Sequence, residues 1–197
     1  MKRRDIDVMG ISDTHWTGQG KMQLAESETF IYSGRVDDNH REGVCILMSK
    51  RATRSLDLMD WTLISERVIQ ARLYSRYIKL MILHIYAPTE DADEQTKDEF
   101  CGRLQDAIDS VNEHDMLIAT GDMNAKVGNN NWAYESVMGK HGLGQKNSNG
   151  ERLCVMFDTN ELVVTGTLFP HKTIHKATWV SPSGNTINQI DHVLISR

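Results

Sequence analysis

The sequence is short of several things, and each shortage closes off a class of protein. It has only three cysteines, Cys45, Cys101 and Cys154, with no CxxC pair among them. A disulfide framework or a zinc knuckle is therefore not expected, and a reducing interior is. Three prolines and fourteen glycines are too few for a collagen-like or disordered chain. No stretch approaches the ~18 apolar residues of a membrane-spanning helix. The opening Met1-Lys2-Arg3-Arg4-Asp5 is not followed by the apolar segment of a secretory leader. Basic residues are also in deficit: twenty-two Lys and Arg against twenty-seven Asp and Glu leave a net charge of −5. That excludes a globally basic nucleic-acid coat, so a polyanion would have to be gripped locally or through a bound cation. No GxGxxG, GxxxxGKS or GxxxxGKT loop is present to cradle a nucleotide cofactor, and no GxSxG elbow to raise a nucleophile.

What remains is an ordinary core-forming composition, 40% hydrophobic and 25% charged over 197 residues. At ~150 residues per domain this predicts a single domain over 1–197. Strand-like runs recur at 6–12, 30–32, 44–48, 116–121, 162–164, 177–180 and 187–195, and 68–86 reads as two strands turning near Ser75-Arg76. The second of these, Ile78 to Tyr86, is apolar on both faces, as in a strand sandwiched inside a layered sheet. Thr89 to Val111 is the clearest helical window, with Phe100, Leu104, Ala107, Ile108 and Val111 on one face. Asp91, three residues before Glu94, resembles a capping box. A Gly- and Asn-rich loop from Val127 to Gly150 precedes a shorter helix predicted over 151–160. Many strands with two helical windows predict an α+β domain with sheet packed on sheet.

Several polar residues sit where these strands end. Gly121-Asp122-Met123-Asn124 closes an apolar strand, and the period of two puts Asp122 and Asn124 on one side. A carboxylate there can position and deprotonate water, and a neighbouring amide can donate to a phosphate oxygen; the same residues are also ordinary turn formers. Asp191, inside the apolar run Ile190 to Leu194, must find a partner. It either orients a histidine or water, or belongs to a structural ion pair or a solvated face. Asp13, in Ser12-Asp13-Thr14-His15-Trp16, reads as a hard-cation ligand or as a turn. Tyr86 shares a strand face with His84 and could donate to a phosphate, or be a buried tyrosine with one hydrogen bond. His171 and His175 would suit zinc only on a helix, which Pro170, Thr173 and Ile174 argue against. Carboxylates, an amide and no strong nucleophile together suit metal-assisted attack of water on a phosphodiester.

The ordered set SDTHW (12–16), HIYAP (84–88), GDMNA (121–125), ATWVS (177–181) and QIDHVLIS (189–196) resembles the endonuclease/exonuclease/phosphatase superfamily, and within it the retrotransposon-type endonucleases. The resemblance covers essentially the whole chain. It implies a four-layer α/β/β/α sandwich and a magnesium- or manganese-dependent phosphodiesterase acting on DNA. With neither a leader-like nor a membrane-spanning stretch, the expected location is intracellular, nuclear in preference to cytoplasmic. By the same resemblance Asp13 would bind Mg²⁺ and Tyr86 would steady the phosphate. Asp122 would orient and deprotonate the attacking water, with Asn124 on the phosphate. Thr178 and Trp179 would line the substrate side, and Asp191 would orient the family's catalytic histidine.

Three departures accompany it. The family has Glu where this chain has Asp13. The family's opening strand, with its metal-site Asn, and its terminal Ser-Asp-His motif have no counterpart among these residues. His192 is no substitute, because as Asp191's neighbour in a strand it points to the opposite face. The sandwich is thus expected to lack its first and last strands, and the activity to be impaired. A non-catalytic binding remnant of the same fold, or a small-molecule phosphatase, is the alternative expectation; the retrotransposon-like ATWVS and QIDHVLIS argue against the phosphatase.

Overall fold

The protein is described here by a computed structural model covering residues 5–25, 27–37, 39–74 and 77–197, with the backbone alone for 55–59. The turn expected at Ser75-Arg76 lies outside the described residues. Along the chain run β1 (Val8–Ser12), β2 (Gln19–Gln23), β3 (Thr29–Ser33), β4 (Val44–Met48), α1 (Lys50–Ser55), β5 (Leu56–Ser65), β6 (Val68–Tyr74), β7 (Lys79–Tyr86), α2 (Glu94–Asp109), β8 (Asp115–Asp122), α3 (Ser148–Thr159), β9 (Leu162–Val164), α4 (Thr173–Lys176), β10 (Trp179–Val180), β11 (Ile187–Asn188) and β12 (Asp191–Ser196). These form two compact units, one made of Met1–Tyr86 and Glu99–Gly121, the other of Ala87–Asp98 and Asp122–Arg197. Among the described residues no helix is long and apolar enough to cross a membrane.

The first unit holds two antiparallel arrays, one in the order β1-β4-β3-β2 and one running from β5 through β6 to β7. Period-two alternation decides which side chains meet between them. Ile31, Val44, Ile46 and Met48 from the first array pack with Ile69, Ala71, Leu73 and Ile82 from the second. In β7, Met81 to Ile85 are all buried, which is why that strand reads as apolar on both faces. β2 and β5 are not expected from the sequence. β2 is a polar edge strand, Gln-Gly-Lys-Met-Gln, without the apolar alternation that marks a strand. In β5, register shifts between Leu56 and Trp61 and between Leu63 and Ser65 take the residues out of period two. The bidentate ion pair of Arg72 with Asp115, at 2.5 and 2.9 Å, satisfies a carboxylate whose side chain is 1% exposed.

His84, on the same strand, is buried, its Nε2 lies 3.2 Å from Ser12 Oγ, and Gly10 leaves room for its ring. Burial pushes its pKa down from 6.5 to about 4. An unfolded histidine takes a proton near pH 6.5 that the native His84 refuses. Its contribution to stability is therefore complete above pH 6.5 and is lost as pH falls toward 4, on the order of 3 kcal/mol over that interval. Thermal melts by circular dichroism at pH 7, 6 and 5 are expected to show a falling midpoint, and His84→Gln to flatten that fall. An unchanged slope in the variant would place the acid sensitivity elsewhere.

In α2, Phe100, Leu104 and Ala107 are buried, on the face that the spacing predicts. The helix starts later than the capping-box reading has it. Asp93, not Asp91, caps it, since Asp93 Oδ1 accepts from Thr96 N at 2.8 Å and Oδ2 from Thr96 Oγ1 at 2.9 Å.

The second unit is centred on α3 and the antiparallel pair β9 and β12. Leu153, Cys154, Phe157, Leu162, Val164 and Leu194 are buried there with Met123, Val137 and Met138. Asn147 caps α3 by accepting from Gly150 N at 2.9 Å, so this helix begins three residues before the expected Glu151. Thr173–Lys176 does form one helical turn, because its β-branched residues need hold the helical backbone for only four positions. His171 precedes that turn, so the two histidines do not share a helix face.

Candidate active site

Two motifs far apart in sequence are hydrogen-bonded to each other in the second unit. Met123 N donates to Ile190 O at 2.9 Å, and His192 Nε2 donates to Ala125 O at 2.8 Å across a separation of 67 residues. GDMNA and QIDHV are thereby held side by side, and Asp122, Asn124 and Asp191 lie on adjoining backbone. Burial follows the strand period, as expected: Asp191 and Val193 are exposed, while His192 and Leu194 are buried. Burial also lowers the His192 pKa, so the ring stays neutral. It serves as a structural tie and not as a partner of Asp191.

Each polar group is fixed by its surroundings. Asn124 has φ +44°, a left-handed conformation that Asn tolerates better than most residues. Its backbone N donates to Asp122 Oδ1 at 2.9 Å, and its Nδ2 donates to Ala87 O at 2.8 Å. Asn149, which is buried, donates from Nδ2 to Asn124 O and Pro88 O, both at 3.1 Å. Thr178 Oγ1 accepts from the backbone N of Ile190 at 3.0 Å and of Asp191 at 3.2 Å. Trp179, in the β10–β11 hairpin, is 41% exposed, and Val180 and Ile187 beside it are exposed too. Of the residues singled out in the sequence, the second unit therefore collects Asp122, Asn124, Thr178, Trp179 and Asp191.

Asp13 and Tyr86 belong to the first unit. Asp13 and His15 both have φ +57°, and His15 Nε2 lies 2.9 Å from Asp13 Oδ1, with both side chains more than half exposed. Among the described residues no three His, Cys, Asp or Glu side chains gather into a metal-binding group. A single carboxylate, here paired with a histidine, could hold magnesium only with water and phosphate oxygens completing the octahedral set, which is how magnesium is commonly bound. At the end of β7, the Arg67 guanidinium stands 5.3 Å from the Tyr86 ring centroid and donates to Tyr86 O at 3.3 Å. Arg67 is in turn paired with Glu42 at 2.9 Å. Sequence reasoning passes over Arg67, Glu42 and Asn149, because nothing in their local sequence marks them. Only Asn147-Ser148-Asn149-Gly150, a run of cap-forming residues before a helix, could have drawn attention to Asn149.

Comparison with solved structures bears on the fold. The endonuclease domain of TRAS1, a telomere-specific non-LTR retrotransposon, superposes with a TM-score of 0.64 at 12% identity, covering 100% of this chain and 75% of that one. The AP endonuclease LMAP from Leishmania major gives a TM-score of 0.64, again at 12% identity, over 100% of this chain and 71% of that one. An endonuclease/exonuclease/phosphatase family protein from Leptotrichia buccalis gives 0.58 over 99% and 77%. The mixed α/β arrangement with several sheets is thus the nuclease-like fold of these endonuclease/exonuclease/phosphatase-type structures. Over 194 residues the chain is 34% identical to craniofacial development protein 2 of Bos taurus and 32% identical to that of Tragulus javanicus. Each alignment takes in 98% of this chain, which spans about a third of the length of these relatives. No protein-family model matches the chain.

Proposed function

We propose that the chain is a phosphodiesterase of the DNA-endonuclease type. The observation that supports this reading is the direct hydrogen bonding of GDMNA to QIDHV, which assembles Asp122, Asn124, Thr178 and Asp191 from three separate stretches of sequence. DNA as the substrate follows the neighbours, one an endonuclease domain of a retrotransposon and one an AP endonuclease.

In this reading Asp122, half-buried and oriented by Asn124 N, takes the proton of the attacking water. One amide hydrogen of Asn124 is committed to Ala87 O, which turns the other toward a phosphate oxygen. Asp191 acts as a positioning carboxylate whose backbone is anchored on Thr178. The resemblance assigns Tyr86 to the phosphate and Thr178 and Trp179 to the substrate side. Water adds to phosphorus and one P–O bond breaks; the departing oxygen takes a proton from solvent, leaving a phosphate on one strand end and a hydroxyl on the other. Magnesium or manganese enters through the resemblance alone. Asp13 is the donor it designates, and would have to exchange His15 for the cation.

Nicking of supercoiled plasmid, measured with Mg²⁺, with Mn²⁺ and with EDTA, tests the reading. Metal-dependent conversion to open circles is expected. Nicking that survives EDTA would remove the cation from the reading, and saturable DNA binding without nicking under any condition would replace the enzyme by a binding protein.

A further inference from the structure

The first turn of α3 lies against the loops that carry the candidate site, and two of its asparagines tie those loops together. Asn147, the helix cap, accepts from Lys126 N at 2.8 Å through Oδ1, and its backbone N donates to Lys126 O at 3.1 Å. Its Nδ2 donates to Glu90 Oε2 at 2.6 Å. Asn149, two residues on, is 5% exposed. Its backbone N donates to the same Glu90 oxygen at 3.2 Å, and its Nδ2 donates to both Pro88 O and Asn124 O. Gly150 makes the approach possible, since a Cβ there would fall 2.0 Å from Lys126 O. Burying a carboxamide is costly unless its polar atoms are paired. Here the pairing spans two loops, and an apolar side chain in the same slot would leave both carbonyls without this donor.

We infer that Asn149 is a positioning residue of the phosphodiesterase site, holding Asn124 in the backbone conformation that aims its carboxamide at the phosphate. The inference rests on the phosphodiesterase reading and adds to it a residue that has no contact with the reacting atoms. Three hydrogen bonds fix Asn124. Two come from the site's own loops, from its N to Asp122 Oδ1 and from its Nδ2 to Ala87 O. The third, on its carbonyl oxygen, is supplied by α3 through Asn149. A non-glycine residue with a left-handed backbone, as Asn124 has, persists where its surroundings over-determine it. The same Asn149 amide holds Pro88 O, one residue from the carbonyl that receives the Asn124 side chain. Removing it therefore loosens Asn124 twice, at its main chain and at the acceptor of its side chain. A displacement of about 1 Å at a reacting group can cost on the order of 10²-fold in rate.

Hydrogen exchange followed by NMR on the 197-residue chain tests this without requiring turnover. In the unaltered protein the backbone N–H of Asn124 and the Nδ2 protons of Asn149 are expected to exchange slowly. Rapid exchange of either would overturn the inference whatever the variants do. In Asn149→Ala, exchange at Asn124 N–H is expected to rise roughly tenfold or more, while the amides of β6 and β7 keep their rates. An equal rise at all of these positions would make Asn149 a stabilising residue only and overturn the inference, as would no change at Asn124. Plasmid nicking supplies the second readout. Asn149→Ala is expected to lower kcat on the order of 10²-fold, with KM and the Kd for duplex in EDTA unchanged. In an Asn124→Ala background the same substitution should lower kcat little further, because it acts through Asn124. A full additional loss there would overturn the inference. The two readings stay separable. A loosened Asn124 in a chain that nicks nothing defeats only the phosphodiesterase. Nicking with kcat and Asn124 exchange indifferent to Asn149→Ala defeats only the positioning role.

Discussion

Asp122→Asn is expected to lower plasmid nicking by on the order of 10²–10⁴-fold, the usual contribution of a general base, while leaving the thermal melt unchanged. The amide has the shape of the carboxylate, and its oxygen can still accept from Asn124 N. What it loses is the ability to take a proton from water at neutral pH. The pairing of lost turnover with retained folding is what separates chemistry from scaffolding at this position. Nicking at the parental rate in this variant would show that the proton goes elsewhere and would remove Asp122 from the proposed machinery.

Gly121→Ala, one residue earlier, is expected to act on the fold. A Cβ built at Gly121 falls 1.9 Å from Ile85 O, and the residue has φ +145°. The obstacle is backbone of the neighbouring strand, which cannot swing aside as a flexible side chain can, and the dihedral is one that L side chains rarely adopt. A loss on the order of 4 kcal/mol is expected, a large share of the roughly 5–15 kcal/mol that a domain has in all. Urea unfolding or the soluble yield reads it. Gly102→Ala is the control. Gly102 lies inside α2, and a Cβ there meets nothing within 4 Å. That change is expected to stabilise by about 0.5–1 kcal/mol. Wild-type stability for Gly121→Ala would mean that β7 and β8 do not approach so closely at this point.

The same contrast governs how much of the protein can be read along its chain. β4 is expected at 44–48 and observed at Val44–Met48, because a short, almost wholly buried run of β-branched and large apolar residues has few other places to go. The buried face of α2 is equally legible, its period being set by the helix itself. The cap of α2 moves from Asp91 to Asp93 because Thr89, Asp91 and Asp93 cluster there and only the three-dimensional path selects one. β5 escapes because bulges break its period. At the site, Asp122, Asn124 and Asp191 announce themselves as polar residues at strand ends, whereas Arg67 and Asn149 act through partners 19 and 25 residues away, and only the cap-forming run around Asn149 marks either of them locally.

By itself, then, the sequence determined the strand-rich architecture, the helical windows and the polar residues at the strand ends, since periodicity and turn chemistry depend only on neighbours along the backbone. It also determined that His192 faces away from Asp191, a consequence of the alternation of one strand. Only the tertiary structure decided that Met123 meets Ile190, that His192 is tied to Ala125, and that Asn149 joins Pro88 to Asn124. Those pairings join residues many positions apart. Each is selected by the packing of whole elements, a sum over contacts that no local window contains.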